Sequence, residues 1–244
     1  MKLISWNMRG LNGPGKLRIL KNMIKIEKPQ ICFLQEMKYS SDTLERLLTK
    51  SWAGYQSIAV DASGASGGLA IAWDARMLSL TDFHASHYFI QENFHLLGTN
   101  MHGLLTNVYF PQDARTKAEL LNTLETINSL RKHPLWIAGG DYNMITHLDE
   151  KTGGRNKLDQ ESNIFKEFIS NASLIDHQFY NGKYTWSNRR SGSHYIASKL
   201  DRFLVSNNWI RIGGDITAAI LPHSGSDDCP ISLQWQRHGA TLSL

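Results

Sequence analysis

Cysteine is scarce: the 244 residues hold two, Cys32 and Cys229. Two thiols build neither a disulfide framework nor a closed zinc site by themselves. Both sit in apolar stretches that read as core strands, so both are expected to be buried small hydrophobes. No apolar run approaches the ~18 residues a membrane span needs. The first strand begins at once, in Leu3-Ile4-Ser5-Trp6, with no charged-then-apolar leader before it. An intracellular chain without membrane contact is therefore expected. Linkers rich in Pro, Gly or Ser, internal repeats and low-complexity tracts are also missing, which favours one domain over residues 1–244. Neither charge sign dominates: 26 Lys and Arg stand against 22 Asp and Glu, a formal net charge of +4. That balance permits a polyanionic partner without requiring one.

What the chain does have is alternation of short apolar runs with helical patterns. Leu17, Leu20 and Ile24 predict a helix over about 16–27, stopped by Pro29. Further helices are expected over about 43–49, 114–130 (Leu120, Leu124, Ile127 and Leu130 on one face) and 160–172 (Phe165, Phe168 and Ile169 inward). Strands are expected around 3–6, 31–34, 69–73, 103–109, 134–140, 184–186, 200–205 and 230–235. Many strands and about four helices in mixed order suggest sheets packed face to face with helices outside.

Polar motifs close several of these runs: Ser5-Trp6-Asn7, Leu34-Gln35-Glu36, Gly140-Asp141-Tyr142-Asn143 and Ser226-Asp227-Asp228. Carboxylates and carboxamides at strand ends converge only if the strands share a sheet edge, and such a cluster suits hard cations and phosphate esters. Glu36 at the end of an apolar strand needs a partner, which a divalent cation would supply; a surface Glu is the other reading. Asp141 can orient or deprotonate water, and Asn143 can donate to a phosphoryl oxygen. An Asx turn is the plainer alternative. Gly139-Gly140 would let the backbone turn sharply. Tyr109 could bond a phosphate or simply pack in its strand. Asp201 could orient another group or pair with Lys199 or Arg202.

Together these motifs, in order, resemble the endonuclease/exonuclease/phosphatase superfamily over essentially the full chain, with Asn107-x-Tyr109-x-Pro111 and Leu200-Asp201-x-x-Leu204 completing the pattern. Trp6-Asn7-Met8-Arg9-Gly10-Leu11, Gly67-Gly68-Leu69-Ala70, Glu150-Lys151-Thr152-Gly153-Gly154 and Tyr184-Thr185-Trp186-Ser187-Asn188 are similar to the endonuclease domain of plant-type non-LTR (LINE) retrotransposons. The resemblance implies an α/β fold, a four-layered α/β/β/α sandwich of two packed mixed β-sheets flanked by helices. It implies a Mg²⁺-dependent (or Mn²⁺-dependent) DNA endonuclease that acts in the nucleus on double-stranded DNA and leaves a 3′-hydroxyl. In the full-length protein a reverse transcriptase domain would lie downstream; a monomer is expected. Carried over by position, Glu36 binds the metal with Asn7 and Asp227 beside it. Asp141 handles the attacking water, Asn143 and Tyr109 hold the scissile phosphate, and Asp201 orients a catalytic histidine.

That histidine is missing. The family pattern reads Ser-Asp-His, but here Ser226-Asp227 is followed by Asp228. An anionic Asp228 would repel a phosphodiester and face Asp201, where two carboxylates cannot both ionise cheaply. A poor or inactive nuclease is expected, with His223 as a candidate substitute. For DNA contact, Lys183, Arg189, Arg190, His194 and Lys199 cluster around a polar hairpin loop, with a solvated hairpin tip as the plainer reading, and Arg9 and Asn12 flank the metal motif. Lys16, Arg18, Lys21 and Lys25 read as a solvated helix face. A repair-type abasic-site endonuclease, another phosphoesterase and a non-catalytic DNA-binding relic are the alternatives.

Overall fold

Alternation of side chains along each central strand decides the layering. In a computed structural model, residues 1–11, 15–63, 66–131, 135–155, 157–222 and 226–237 are described. Asn12 and His223 lie outside the described residues. In chain order the elements are β1 (Lys2–Asn7), α1 (Lys16–Glu27), β2 (Ile31–Gln35), α2 (Ser41–Ser51), β3 (Tyr55–Ser63), β4 (Ser66–Asp74), β5 (Leu78–Ala85), β6 (Phe89–Leu96) and β7 (His102–Tyr109). Then come α3 (Ala114–Arg131), β8 (Trp136–Asp141), β9 (Lys151–Thr152), α4 (Gln160–Asn171), β10 (Leu174–Asp176), β11 (Trp186–Ser187), β12 (Ala197–Ser198), β13 (Asp201–Ser206), α5 (Asn208–Arg211), β14 (Asp215–Ile220) and β15 (Ile231–Gln236).

Two six-stranded sheets form, in the orders β14-β15-β1-β2-β4-β3 and β10-β13-β8-β7-β6-β5. Each is mixed: β1 runs parallel to β2 and antiparallel to β15, while β7 runs parallel to β8 and antiparallel to β6. Leu3, Ile31, Phe33 and Ile71 of the first sheet pack against Ile90, Phe94, Leu105, Ile137, Phe203 and Val205 of the second. The opposite parity, Ile4, Trp6, Cys32 and Leu34, packs under α1 and α2 with Leu20, Met23, Leu44 and Leu48. On the second sheet's outer side, Leu104, Trp136, Ala138 and Leu204 pack under α3 and α4 with Leu120, Leu124, Phe165 and Phe168. The result is the expected α/β/β/α sandwich. Each large apolar side chain so buried contributes about 1.5–3 kcal/mol.

Helices follow the 3.6-residue apolar period, with limits close to those expected. At the end of α1 the chain turns through Lys28 in a left-handed conformation, whose N–H donates to the Ile24 carbonyl before Pro29. Leu130 departs from its expected inward position and is 76% exposed. Cys229 is half-buried outside any strand, whereas Cys32 is buried in β2 as expected. β3, β5, β6, β10 and β14 lay outside the expected strands; β6, for example, buries Gln91 and Glu92, which hide its apolar pattern. Among the described residues no helix is long and apolar enough to cross a membrane.

Gly139 and Gly140 lie inside β8 instead of forming the sharp turn expected of them. A Cβ on Gly139 would stand 2.5 Å from the Phe203 ring, and one on Gly140, at φ +143°, 2.0 Å from the Val108 carbonyl oxygen. The pair is needed for close approach to both neighbouring strands, and so brings Asp141 into register with Tyr109 on β7 and Asp201 on β13.

Candidate active site

Strand parity puts Asn7, Asn107, Tyr109, Asp141 and Asp201 on the face each sheet turns toward the other, at one edge of the sandwich. Asn7 continues the Leu3 row, Asp141 the Ile137 row and Asp201 the Phe203 row. The Asn7 carboxamide joins the sheets: its Nδ2 donates to Glu36 Oε1 and to Asp141 Oδ2, both at 2.9 Å. Its Oδ1 accepts the Arg9 N–H at 3.1 Å. One turn further in, Gln35 Nε2 donates to Asn107 Oδ1 and Ser5 Oγ, a buried second link between the sheets.

Three residues here hold left-handed backbone that favours glycine: Arg9 (φ 46°), Glu36 (φ 50°) and Asn143 (φ 50°). Such strain persists where surrounding structure over-determines it, and it concentrates at functional sites. At Glu36 it turns the half-buried carboxylate away from the β2 pleat and toward Asn7. Asn143 is fixed on all sides. Its N–H donates to Asp141 Oδ1 (2.9 Å), its Nδ2 to the Phe110 carbonyl (2.7 Å), and its Oδ1 accepts from Gln112 (2.7 Å). Lys117, on the apolar stripe of α3 with Leu120, Leu121 and Leu124, donates to the Asn143 carbonyl at 2.9 Å and pairs with Glu161. Burial raises the Tyr109 phenol well above its usual value, and the nearby Glu36 and Asp141 carboxylates push it further up.

Asp141, Asp201 and Asp228 form a buried trio whose nearest oxygens all lie within 4.8 Å of one another. Burial lifts Asp141 to about 6, against the pull of its bonds from Asn7 and Asn143. Burial and the Asp141 charge lift Asp228 to about 7, opposed by Arg9. Asp201 is raised well above the usual carboxylate range by burial, then by Asp141 and Asp228. Where a plainly anionic Asp228 was expected, burial and Asp141 raise its carboxyl to about 7, and the foreseen discouragement of ionisation is present at Asp201, which the Asp228 charge helps to raise. Asp201 does not pair with Lys199 or Arg202. Arg202 has the opposite parity and Lys199 precedes β13; both bind Glu150 and Asp176 in a separate buried network, with Arg202 Nη1 2.5 Å from Asp176, its Nη2 3.1 Å from Glu150, and Lys199 Nζ 2.9 Å from Asp176.

Asp228 is held by several contacts. Its carbonyl accepts Trp6 Nε1 at 3.1 Å, its N–H donates to Ser226 Oγ, and Ser226 Oγ donates to the Asn7 carbonyl at 3.0 Å. Arg9 Nε reaches Asp228 Oδ2 at 2.6 Å. Asp227 turns outward, with Arg9 Nη1 at 3.6 Å and Arg189 Nε at 3.2 Å. Thr185 Oγ1 accepts the N–H groups of Leu200 and Asp201 at 3.0 Å each, fixing the start of β13. Lys16 is not the free surface cation expected, since it donates to the Met8 carbonyl at 2.7 Å and steadies the turn that carries Arg9.

The hairpin loop appears between β11 and β12, and Arg189, Arg190, Ser191 and His194 line one open cleft on it. Trp186 at its base forms a bridge to Asp228, so the loop rises directly beside the trio. Lys183 stands apart, paired with Asp149 at 2.6 Å.

Residues 4–227 match the model of the Endonuclease/Exonuclease/phosphatase family, and the chain belongs to that family. Its members are hydrolases of phosphodiester bonds, generally dependent on a divalent metal. Among solved structures, the chain is similar to the AP endonuclease LMAP from Leishmania major (19% identity, 97% of this chain and 87% of that one, TM-score 0.74). It is similar to the endonuclease domain of TRAS1, a telomere-specific non-LTR retrotransposon (15% identity, 97% of each chain, TM-score 0.70). It is also similar to the 3′ phosphatase NExo from Neisseria bound to a product DNA hairpin (19% identity, 97% of this chain and 99% of that one, TM-score 0.75). These likenesses extend the shared fold over nearly the whole chain.

Proposed function

We propose that this chain is a single-domain, metal-dependent DNA endonuclease of the non-LTR retrotransposon type. It nicks nuclear target DNA to leave a 3′-hydroxyl for target-primed reverse transcription, and Asp228 leaves it weak or inactive as written. The observation that carries this reading is the Asn7 carboxamide bridging Glu36 and Asp141 where the two sheets meet. It gathers two carboxylates and a carboxamide from both sheets at one edge of the sandwich.

Glu36 and Asn7 present hard oxygen and amide groups that suit Mg²⁺ or Mn²⁺. A cation there would neutralise charge building on the phosphoryl group. Asp141, raised to about 6, is poised near neutrality to hold and deprotonate the attacking water. Asn143 and Tyr109 flank it and would hold the scissile phosphate. Arg9, Arg189, Arg190 and His194 border the same edge and would meet phosphates of the duplex. Retrotransposon type is favoured over a repair enzyme by the segments around Gly153-Gly154 and Tyr184-Thr185-Trp186, which form β9 and β11 and meet on β12 beside the site.

Asp228 occupies the position where the family pattern has histidine. A carboxyl there, protonated or not, supplies no positive charge to a phosphoryl oxygen, and loss of one such group typically costs ~10²–10⁴ in rate. A specific observation supports a second reading, a DNA-binding module without chemistry: the Arg9–Asp228 pair ties up the cation nearest the trio.

Nicking of supercoiled plasmid by this chain and by Asp228→His, each with Mg²⁺ or EDTA, tests both. Metal-dependent nicking by the histidine variant alone supports the endonuclease with Asp228 as its defect. Absence of nicking by both folded proteins rejects it and leaves the binding module, to be checked by duplex affinity. Parallel assays on abasic duplex and on phosphomonoesters separate repair and phosphatase chemistry from the proposed activity.

A further inference from the structure

We propose that Asp141, Asp201 and Asp228 form a second, buried divalent-cation site, separate from the Glu36–Asn7 pocket and completed by Asp228. The nearest oxygens of the three carboxylates lie within 4.8 Å of one another. Both Asp201 oxygens and Asp228 Oδ1 are buried without a hydrogen-bond partner among the described residues. Asp201 is 1% exposed and Asp228 0%. Buried oxygens of Asp201 and Asp228 thus stand beside other carboxylates with no donor to receive them, a costly arrangement unless something binds there.

A proton shared between two of the carboxylates answers one pair of oxygens, and the trio holds more buried oxygens than one such bond uses. A single cation meets all three carboxylates at once. Bonds of about 2.0–2.6 Å to a hard divalent cation span oxygens up to ~4–5 Å apart, the range within which this trio falls.

Charge supports the same count. Three carboxylates carry three negative charges when ionised, and Arg9, on Asp228 Oδ2, is the cation in contact with them. A divalent ion brings the trio and Arg9 to neutrality. The remaining lone pairs are sufficient: Asp141 accepts from Asn7 and Asn143 and still has capacity, because a carboxylate offers about four acceptor sites. Arg9 covers the trio from the solvent side with its side chain 40% exposed, so rotation of one surface arginine opens the way in. The third ligand is Asp228, so the site rests on this chain's departure from the family pattern.

Calorimetric titration of the full chain with Mn²⁺ at neutral pH, with electron paramagnetic resonance to count bound ions, tests this. Two Mn²⁺ per chain are expected in the native protein, one in Asp201→Asn, one in Asp228→Ala, and one in Glu36→Gln, which keeps the buried site. A native count of one that Glu36→Gln abolishes overturns the proposal, as does persistence of the second ion in Asp201→Asn. If Asp201→Asn does not fold, the native count and Asp228→Asn decide by the same rule. DNA cleavage is not read in this titration, so nuclease activity and the second cation stand or fall separately.

Discussion

Arg9 and Asp228, 219 positions apart, meet through a 2.6 Å contact between Nε and Oδ2. One partner is surface-accessible and the other fully buried, with side chains 40% and 0% exposed. The arginine lowers the proton affinity of a carboxyl that burial has raised. Removing it in Arg9→Ala should raise the Asp228 pKa further from about 7, by about 1 unit, the low end for a charge-assisted hydrogen bond whose donor faces water. Carbon-13 NMR titration of the Asp228 carboxyl in EDTA reads this directly. An unchanged midpoint would show that the pair contributes nothing in solution.

The trio also sets the pH dependence of stability. Asp141, Asp201 and Asp228 all have folded-state pKa values raised above those of the unfolded chain. The native state then holds more protons than the unfolded state, so stability falls as pH rises from about 4 through about 7. Glu150 works the other way: burial would raise it, but Arg202 and its hydrogen bonds bring it down to about 2. Its contribution is full above about 4.5 and is lost as pH falls toward about 2. Urea unfolding in EDTA should show a stability maximum near pH 4–5, and Asp228→Asn should flatten the decline above it.

Much of this architecture was legible from period-2 and period-3.6 patterns. Ser5-Trp6-Asn7 announces that Asn7 shares the face of Leu3, and α1 and α3 have the limits their apolar residues imply. The same logic, pursued further, finds what was missed. Arg202 alternates with Asp201 in a strand apolar on both faces, so it had to be buried with carboxylate partners of its own, which it is. Lys117 falls on the buried stripe of α3 and so had to serve a buried acceptor. Other features left no local trace. The orphaned Asp201 oxygens and the outward turn of Asp227 depend on residues distant in sequence, and the Thr185 support of β13 on a hydroxyl that reads as an ordinary strand threonine.

Truncating Arg202 should be costly. The fully buried guanidinium answers both Glu150 and Asp176 and donates to the Met144 and Lys199 carbonyls. Arg202→Ala strands two carboxylates with only Lys199 between them, and breaking a buried pair by removing one partner typically costs ~3–5 kcal/mol. Arg202→Lys should recover only part of this, because an ammonium lacks the planar fork. Equal stability of the lysine variant and the native chain in chemical denaturation would contradict the bidentate account.

Gly140→Ala tests the close approach that brings Asp141 into register. Its Cβ would fall 2.0 Å from the Val108 carbonyl oxygen at a φ of +143°. Backbone must move on β7 or β8, and a loss of roughly 3 kcal/mol or more is expected, from strain and a broken ladder together. Gly192→Ala, with nothing within 4 Å but φ +61°, should cost only about 1 kcal/mol by comparison. Midpoints of thermal unfolding for the two variants should therefore separate clearly.

Arg190 is the loop cation whose removal isolates DNA contact from site geometry. It is exposed and lines the same cleft as Arg189 and His194, whereas Arg189 also restrains Asp227. If the loop meets phosphates, Arg190→Ala should weaken binding to unrelated duplexes by a similar factor and reduce the salt slope of the association constant by about 1. Lys183→Ala, already paired with Asp149 at 2.6 Å, should change that slope less. Fluorescence anisotropy across a salt series on two duplex sequences provides the comparison. A slope unmoved by Arg190→Ala would place the duplex elsewhere on the protein. A loss confined to one sequence would instead make Arg190 a reader of bases or of groove width.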